Sequence, residues 1–236
     1  MTTGSLISPG ARARIRGLAT PIAVALGRLG PTPNHLTLIG FGIAILAAGA
    51  AAAQNWLVAG ILVIVGGAFD LLDGALSRAT GRVNRFGAFL DSVFDRWGEA
   101  AVYVGIVIGC IASRFDLGVV LAAAAMGAAF MVSYARAKSE SLGFTEGTGM
   151  AAIGIAPREV RVVILTIGLI LTGLVGTANP LLQLRTLDLP FGVSVSLPWK
   201  GEAWLFWSLL AITILATITV IQRVVHVIRQ SNQQPR

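Results

Sequence analysis

Apolar runs of membrane-spanning length, one after another, set the terms for any fold of this chain. Crossing a bilayer takes ~20 mostly apolar residues. Six such runs are present, at roughly 34–53, 56–77, 86–112, 117–137, 159–177 and 203–225. Only 12% of the 236 residues are charged, against about 25% in soluble domains, and the mean hydropathy is +0.79. In hydrocarbon every backbone polar group must be satisfied within its own segment, which for runs of this length means helices. The sequence therefore predicts an all-α, polytopic membrane protein. It reads as a single domain over 1–236, with a six-helix transmembrane bundle over 34–225.

Ahead of the first run, residues 10–29 set Arg12, Arg16 and Arg28 beside Ile15, Leu18, Ile22, Leu26 and Leu29. This is the pattern of an amphipathic helix lying in the membrane interface. No short apolar core with a small-residue cleavage site follows the early arginines, so no signal peptide is expected. The segment GPTPNHLT (30–37) is turn chemistry, with Thr32 or Asn34 available to cap the first span. Residues 178–201, with three prolines and two glycines, read as an external loop. His35 and His226 lie away from the acidic residues and read as interfacial or structural, and the five tryptophans read as interface anchors. The single Cys110 allows no intrachain disulfide.

Charge placement orients the chain. With six spans both termini share a side. That side would carry Arg12, Arg14, Arg16, Arg28, Arg78, Arg82, Arg85, Arg136, Lys138, Arg158, Arg161, Arg223, Arg229 and Arg236, or 14 of the 18 basic residues. Positive-inside reasoning makes it the cytoplasmic side of the cytoplasmic membrane. The net charge of +7 then reflects orientation and attraction to anionic lipid. Basic residues dispersed among spans do not form a nucleic-acid surface.

The exception to this apolar pattern is FDLLDGALSRATGRVNRFGAFLDSVFDR (69–96), which holds Asp70, Asp73, Asp91 and Asp95. Acids within spans cost ~2.5–3.5 kcal/mol each, so four cost roughly 10 kcal/mol unless something offsets them. Asp70 and Asp73, at i and i+3, share one helix face. Gly87, Asp91 and Asp95, at i, i+4 and i+8, form a stripe on the next helix. The turn between the spans is short, which predicts antiparallel neighbours with both carboxylate pairs at similar depth. Hard oxygen ligands in this number suit two divalent ions such as Mg²⁺ or Mn²⁺. Gly74 and Gly87 would let a ligand approach the backbone, and Arg78 is suited to phosphate. Two alternatives stand beside a metal–diphosphate site: ion pairs with Arg78, Arg82, Arg85 or Arg96, and a cation or proton pathway.

Further along, Arg136 and Lys138 in SYARAKSESLG, and Arg158 and Arg161 in GIAPREVR, gather on the same side as the aspartates. Arg158 and Arg161 open the fifth span, where the helix N-terminus also attracts anions. Such a cluster suits an acceptor that itself carries phosphate. Ser133 and Tyr134 either line that pocket or serve helix packing. Glu140 and Glu146 read as solvated loop charges.

The acidic stretch resembles the signature of the CDP-alcohol phosphotransferase (CDP-alcohol phosphatidyltransferase) family. That pattern is D-x-x-D-G-x-x-A-R, eight residues, then G-x-x-x-D-x-x-x-D. Here it reads Asp70, Asp73, Gly74, Arg78, Gly87, Asp91 and Asp95 with every spacing kept, and with Ser77 in the alanine position. The resemblance implies an enzyme of phospholipid biosynthesis, a phosphatidyl transfer from a CDP-linked lipid such as CDP-diacylglycerol to an alcohol, and release of CMP. It implies that Asp70, Asp73 and Asp91 hold two Mg²⁺ or Mn²⁺ ions, with Asp95 the general base and a further ligand. It places Asp70, Asp73, Gly74, Arg78 and Gly87 around the CDP moiety, and it implies a homodimer. The segment SYARAK followed by Gly154, Arg158 and Arg161 is similar to the phosphatidylinositol-phosphate synthase branch and its archaeal-lipid counterparts. Arg136 and Lys138 are swapped relative to that branch, and Glu99 replaces a more usual aspartate. Inositol 1-phosphate is the acceptor this implies, with Arg136, Lys138, Arg158 and Arg161 on its phosphate. Glycerol 3-phosphate is the alternative.

Overall fold

The computed structural model describes residues 21–25, 27, 30, 32–81, 85–144, 153–176, 186–189, 193–196 and 201–232. Six long helices dominate it: α1 (Pro33–Ala52), α2 (Trp56–Thr80), α3 (Arg85–Ala112), α4 (Asp116–Ser141), α5 (Arg158–Val175) and α6 (Glu202–Ser231). Their limits follow the six apolar runs, displaced mainly where polar residues extend a helix beyond its apolar part. α4 continues to Ser141, for example, so Glu140 is a helical residue ion-paired with Arg136 at 2.8 Å, not a loop charge. Most of the expected interfacial helix over 10–29 lies outside the described residues, although 21–25 is helical.

Four of the six helices, α1, α2, α4 and α6, are long and apolar enough to cross a membrane by length and composition. The other two are charged at several positions: Asp91, Asp95, Arg96 and Glu99 on α3, and Arg158, Glu159 and Arg161 on α5. The 18 residues of α5 still reach about 27 Å at 1.5 Å per residue. Exposed side chains on the helices include Leu46, Ile64, Val120, Leu174 and Ile221. An apolar exterior on this scale belongs in lipid, and the protein is an integral membrane protein.

α1 begins as the sequence indicates. Thr32 is its N-cap, accepting from the His35 N–H, while the His35 side chain accepts from the Thr32 N–H. His35 is thus a capping residue. The helices close a ring in the order α1–α2–α5–α6–α4–α3 and back to α1. α2 and α3, although joined by a short turn, pack on α1 rather than on each other, which corrects the expectation that they are packed neighbours. The reason lies in small residues. Gly105 and Gly109 of α3 lie so close to α1 that a Cβ at either would collide with the carbonyl of Ala48 or Ala51. Gly105→Val should therefore destabilise the bundle by about 1–3 kcal/mol through overpacking. This is measured as a lowered melting midpoint in detergent against the wild type.

The main core spans all six helices and includes Ala51, Trp56, Tyr103, Ala125, Leu169 and Leu209. Trp56 is 2% exposed, a core residue where an interface anchor was expected, because it fills the space beside Gly109. Trp97, Trp204 and Trp207 are exposed. Within the expected external loop, Thr186–Leu189 pairs antiparallel with Val193–Ser196 as a two-stranded hairpin, Leu187 opposite Val195 and Asp188 opposite Ser194. The polar–apolar alternation of both segments is the strand period, which the surrounding prolines and glycines obscure.

Candidate active site

The four aspartates occupy the end of α2 and the start of α3, as their spacing requires. Although both helices lean on α1, the two carboxylate pairs lie within electrostatic reach of each other, and α5 supplies a side chain that joins them. Arg158, the first residue of α5, places Nη2 2.8 Å from Asp70 Oδ2 and Nη1 2.8 Å from Asp95 Oδ2. One guanidinium thus bridges carboxylates of two helices, using the planar fork that distinguishes arginine from lysine. Asp95 is also 3.2 Å from Arg96 Nη1, and Arg96 Nε donates to Ser133 Oγ of α4 at 3.2 Å. Asp91 is half-buried and within electrostatic reach of Asp70, Arg158 and Arg96. Asp73 is the most buried of the four at 5% exposure, and it accepts from Thr37 Oγ1 of α1 at 2.8 Å.

The signature residues around them fall into place. Arg78 folds back over Gly74: an alanine Cβ there would lie 3.3 Å from Arg78 Nη1. Gly87 sits one turn before Asp91 on α3. Among the described residues no three acidic, histidine or cysteine side chains are gathered into a metal-binding group, because Thr37 holds Asp73 while Arg158 holds Asp70 and Asp95. The donor chemistry nevertheless fits a hard divalent cation. All four groups are carboxylates, and a cationic group already sits 2.8 Å from an oxygen of Asp70 and of Asp95.

The basic cluster divides. Arg158 faces the aspartates. Arg136 and Lys138 are exposed on the last turns of α4. Arg161 is 1% exposed, and its fork is turned inward. Its Nε and Nη2 donate to Glu99 Oε1 and Oε2 at 3.1 and 3.0 Å, and its Nη1 donates to the Ala156 carbonyl at 3.2 Å. Burial of a guanidinium demands such a partner, so Arg161 is committed to Glu99 and does not stand open to a ligand as the sequence suggested. A cleft of about 660 Å³ between α3 and α4 is lined in part by Ser92, Arg96, Ser133, Tyr134, Arg136 and Glu140.

Sequence reasoning missed three contributors. Thr37 stands within the TPNHLT segment, but nothing local shows that it reaches Asp73, 36 residues away. Glu99 lies one turn beyond Asp95, and the i, i+4 spacing that linked Asp91 to Asp95 also points to it. Arg223 looked like an orientation charge. It is 4% exposed and within reach of Arg136 and Arg161. Arg223 Nε donates to the Ile153 carbonyl at 3.1 Å, and its Nη1 donates to the Val132 carbonyl.

The CDP-alcohol phosphatidyltransferase family model matches residues 31–228. The archaetidylinositol phosphate synthase of Pyrococcus horikoshii is 42% identical over 156 residues, covering 66% of this chain and 78% of that protein. The phosphatidylinositol phosphate synthase of Cutibacterium acnes is 35% identical over 211 residues, covering 89% of this chain and 91% of that protein. Among solved structures, the phosphatidylinositol phosphate synthase of Mycobacterium tuberculosis with CDP-DAG bound superposes with a TM-score of 0.68 at 28% identity. It covers 89% of this chain and 92% of that one. A second structure of that enzyme, in complex with manganese and citrate, gives the same TM-score and identity over 89% of this chain and 88% of that one. These matches favour group transfer over ion conduction as the use of the aspartates. With the signature intact from Asp70 to Asp95, the chain belongs to the CDP-alcohol phosphatidyltransferase family.

Proposed function

We propose that this transferase moves the phosphatidyl group of CDP-diacylglycerol onto a hydroxyl of inositol 1-phosphate, releasing CMP. The observation that carries the reading is the placement of Arg158. It belongs to the helix start suited to an acceptor phosphate, and it touches both Asp70 and Asp95. The acceptor and the reacting carboxylates therefore meet at one side chain. The inositol phosphate acceptor is further supported by the names of the relatives from Pyrococcus horikoshii and Cutibacterium acnes.

In this mechanism Gly74 and Arg78 receive the CDP moiety, and Gly87 leaves it room. Asp70, Asp73 and Asp91 would hold two divalent ions, Mg²⁺ or Mn²⁺, with Asp95 as a further ligand. Such ions supply neutralisation of the diphosphate and of the departing CMP. Thr37 fixes the Asp73 carboxylate, and Arg136, Lys138 and Arg158 hold the acceptor phosphate. Asp95 takes the proton from the acceptor hydroxyl as that oxygen attacks the lipid-linked phosphorus and the bond to CMP breaks. Glu99 and Arg161 buttress the start of α5. All six helices span the membrane, and the excess of basic residues puts both termini and the site on the cytoplasmic side. The working unit is a homodimer, and the whole chain is one domain.

Purified protein with Mn²⁺ or Mg²⁺ and CDP-diacylglycerol should release CMP with inositol 1-phosphate, more slowly with glycerol 3-phosphate, and barely with unphosphorylated inositol. Chelation of the metal should stop it. Equal rates with inositol and inositol 1-phosphate would remove the phosphate from acceptor recognition.

A further inference from the structure

The five residues leading into α5, Ile153 to Pro157, form a strap that the bundle grips from several sides. Ala156 is fully buried, and both of its backbone groups are used. Its N–H donates to Thr219 Oγ1 at 3.0 Å, and its carbonyl accepts from Arg161 Nη1. The Ile153 carbonyl accepts from Arg223 Nε. Between these points Gly154 adopts φ +117, which L side chains rarely adopt, and a Cβ there would run into the methyl group of Thr219. Thr219 itself is fully buried, and its hydroxyl donates to the Leu215 carbonyl one turn back at 2.8 Å. That bond orients the oxygen lone pairs toward Ala156. One side chain on α6 therefore fixes the strap twice, by a hydrogen bond at Ala156 and by shape at Gly154. Two residues after Ala156 comes Arg158, whose guanidinium must meet Asp70 and Asp95 together.

We propose that Thr219 is a positioning residue for the acceptor site, setting the start of α5 so that Arg158 addresses the acceptor phosphate and the aspartates at once. The proposal rests on the acceptor reading above and adds to it a residue some 60 positions downstream that touches neither substrate. Removing the hydroxyl leaves the Ala156 N–H buried with no acceptor, and the strap relaxes to find one. The donor residues Gly74, Arg78 and Gly87 lie on α2 and α3, outside the strap, which reaches the donor side only through the Arg158 contacts to Asp70 and Asp95. The damage should therefore fall mainly on the acceptor.

The test compares Thr219→Val, which keeps the branched shape but loses the hydroxyl, with Thr219→Ser, which keeps the hydroxyl. CMP release is measured with inositol 1-phosphate and CDP-diacylglycerol varied separately. Thr219→Val should raise the acceptor KM roughly ten- to a hundredfold and leave the donor KM within about twofold. Thr219→Ser should restore most of the acceptor KM. An unchanged acceptor KM in Thr219→Val, an equal rise in both KM values, or a serine variant as impaired as the valine one would overturn the proposal. If Thr219→Val does not fold, Gly154→Ala disturbs the same contact from the strap side and should give the same split. A folded Gly154→Ala with both KM values unchanged overturns it. A wild-type protein that uses no phosphorylated acceptor overturns the underlying reading instead, whatever the Thr219 variants do.

Discussion

Asp95→Asn should lower CMP release by about a hundred- to ten-thousandfold, the range that a general base contributes. The substitution keeps size and hydrogen-bonding shape but removes the proton acceptor. Asp95 is suited to such a test because its surroundings remain when its charge goes. Arg158 keeps its 2.8 Å partner Asp70, and Arg96 keeps Ser133. The variant should therefore melt close to the wild type and bind CDP-diacylglycerol with little change. Single-turnover CMP release at saturating substrates separates this chemical defect from a binding defect. Full activity in the variant would move the base elsewhere.

Arg158→Ala should raise the acceptor KM roughly a hundredfold while the donor KM moves far less. Hydrogen bonds to charged groups are worth about 1.5–3 kcal/mol each, and this guanidinium is the basic group closest to the reacting carboxylates. Lysine should rescue only in part. A single ammonium is a point charge and cannot offer two nitrogens to two carboxylates on different helices in a fixed plane. Steady-state kinetics with each substrate varied in turn decides the matter. Equal effects of Arg158→Ala on both KM values would mean that the basic cluster does not bind acceptor phosphate.

Much of the molecule is written locally. Runs of apolar residues set six helices and nearly all their limits, and Thr32 declares the start of α1 through its own capping contacts. The spacing of Asp70, Asp73, Asp91 and Asp95 alone sets each pair on one face of its helix. What the sequence hides is the partner of each group. Asp70 finds Arg158 88 residues later, and Glu99 finds Arg161 62 residues later. Nothing in the apolar patterning specifies either meeting. The same limit misplaced Trp56, whose burial depends on a glycine of α3, and it made Arg161 look open when it is enclosed. Helix composition also could not show that α2 and α3 would lean on α1, because that depends on how closely Gly105 and Gly109 let the backbones approach.

The order of helices around the ring bears on how such a protein is made. α4 and α5 follow one another in the chain but meet through α6. The strap before α5 is tied to Thr219 and Arg223, both on α6. A ribosome that has released the first five helices has delivered all four aspartates, Arg158 and the Arg161 contact to the strap, yet neither of the α6 side chains that tie it down. Catalytic competence thus waits for α6. A nascent chain that stalls before α6 exposes its carboxylates without the register that brings an acceptor to them.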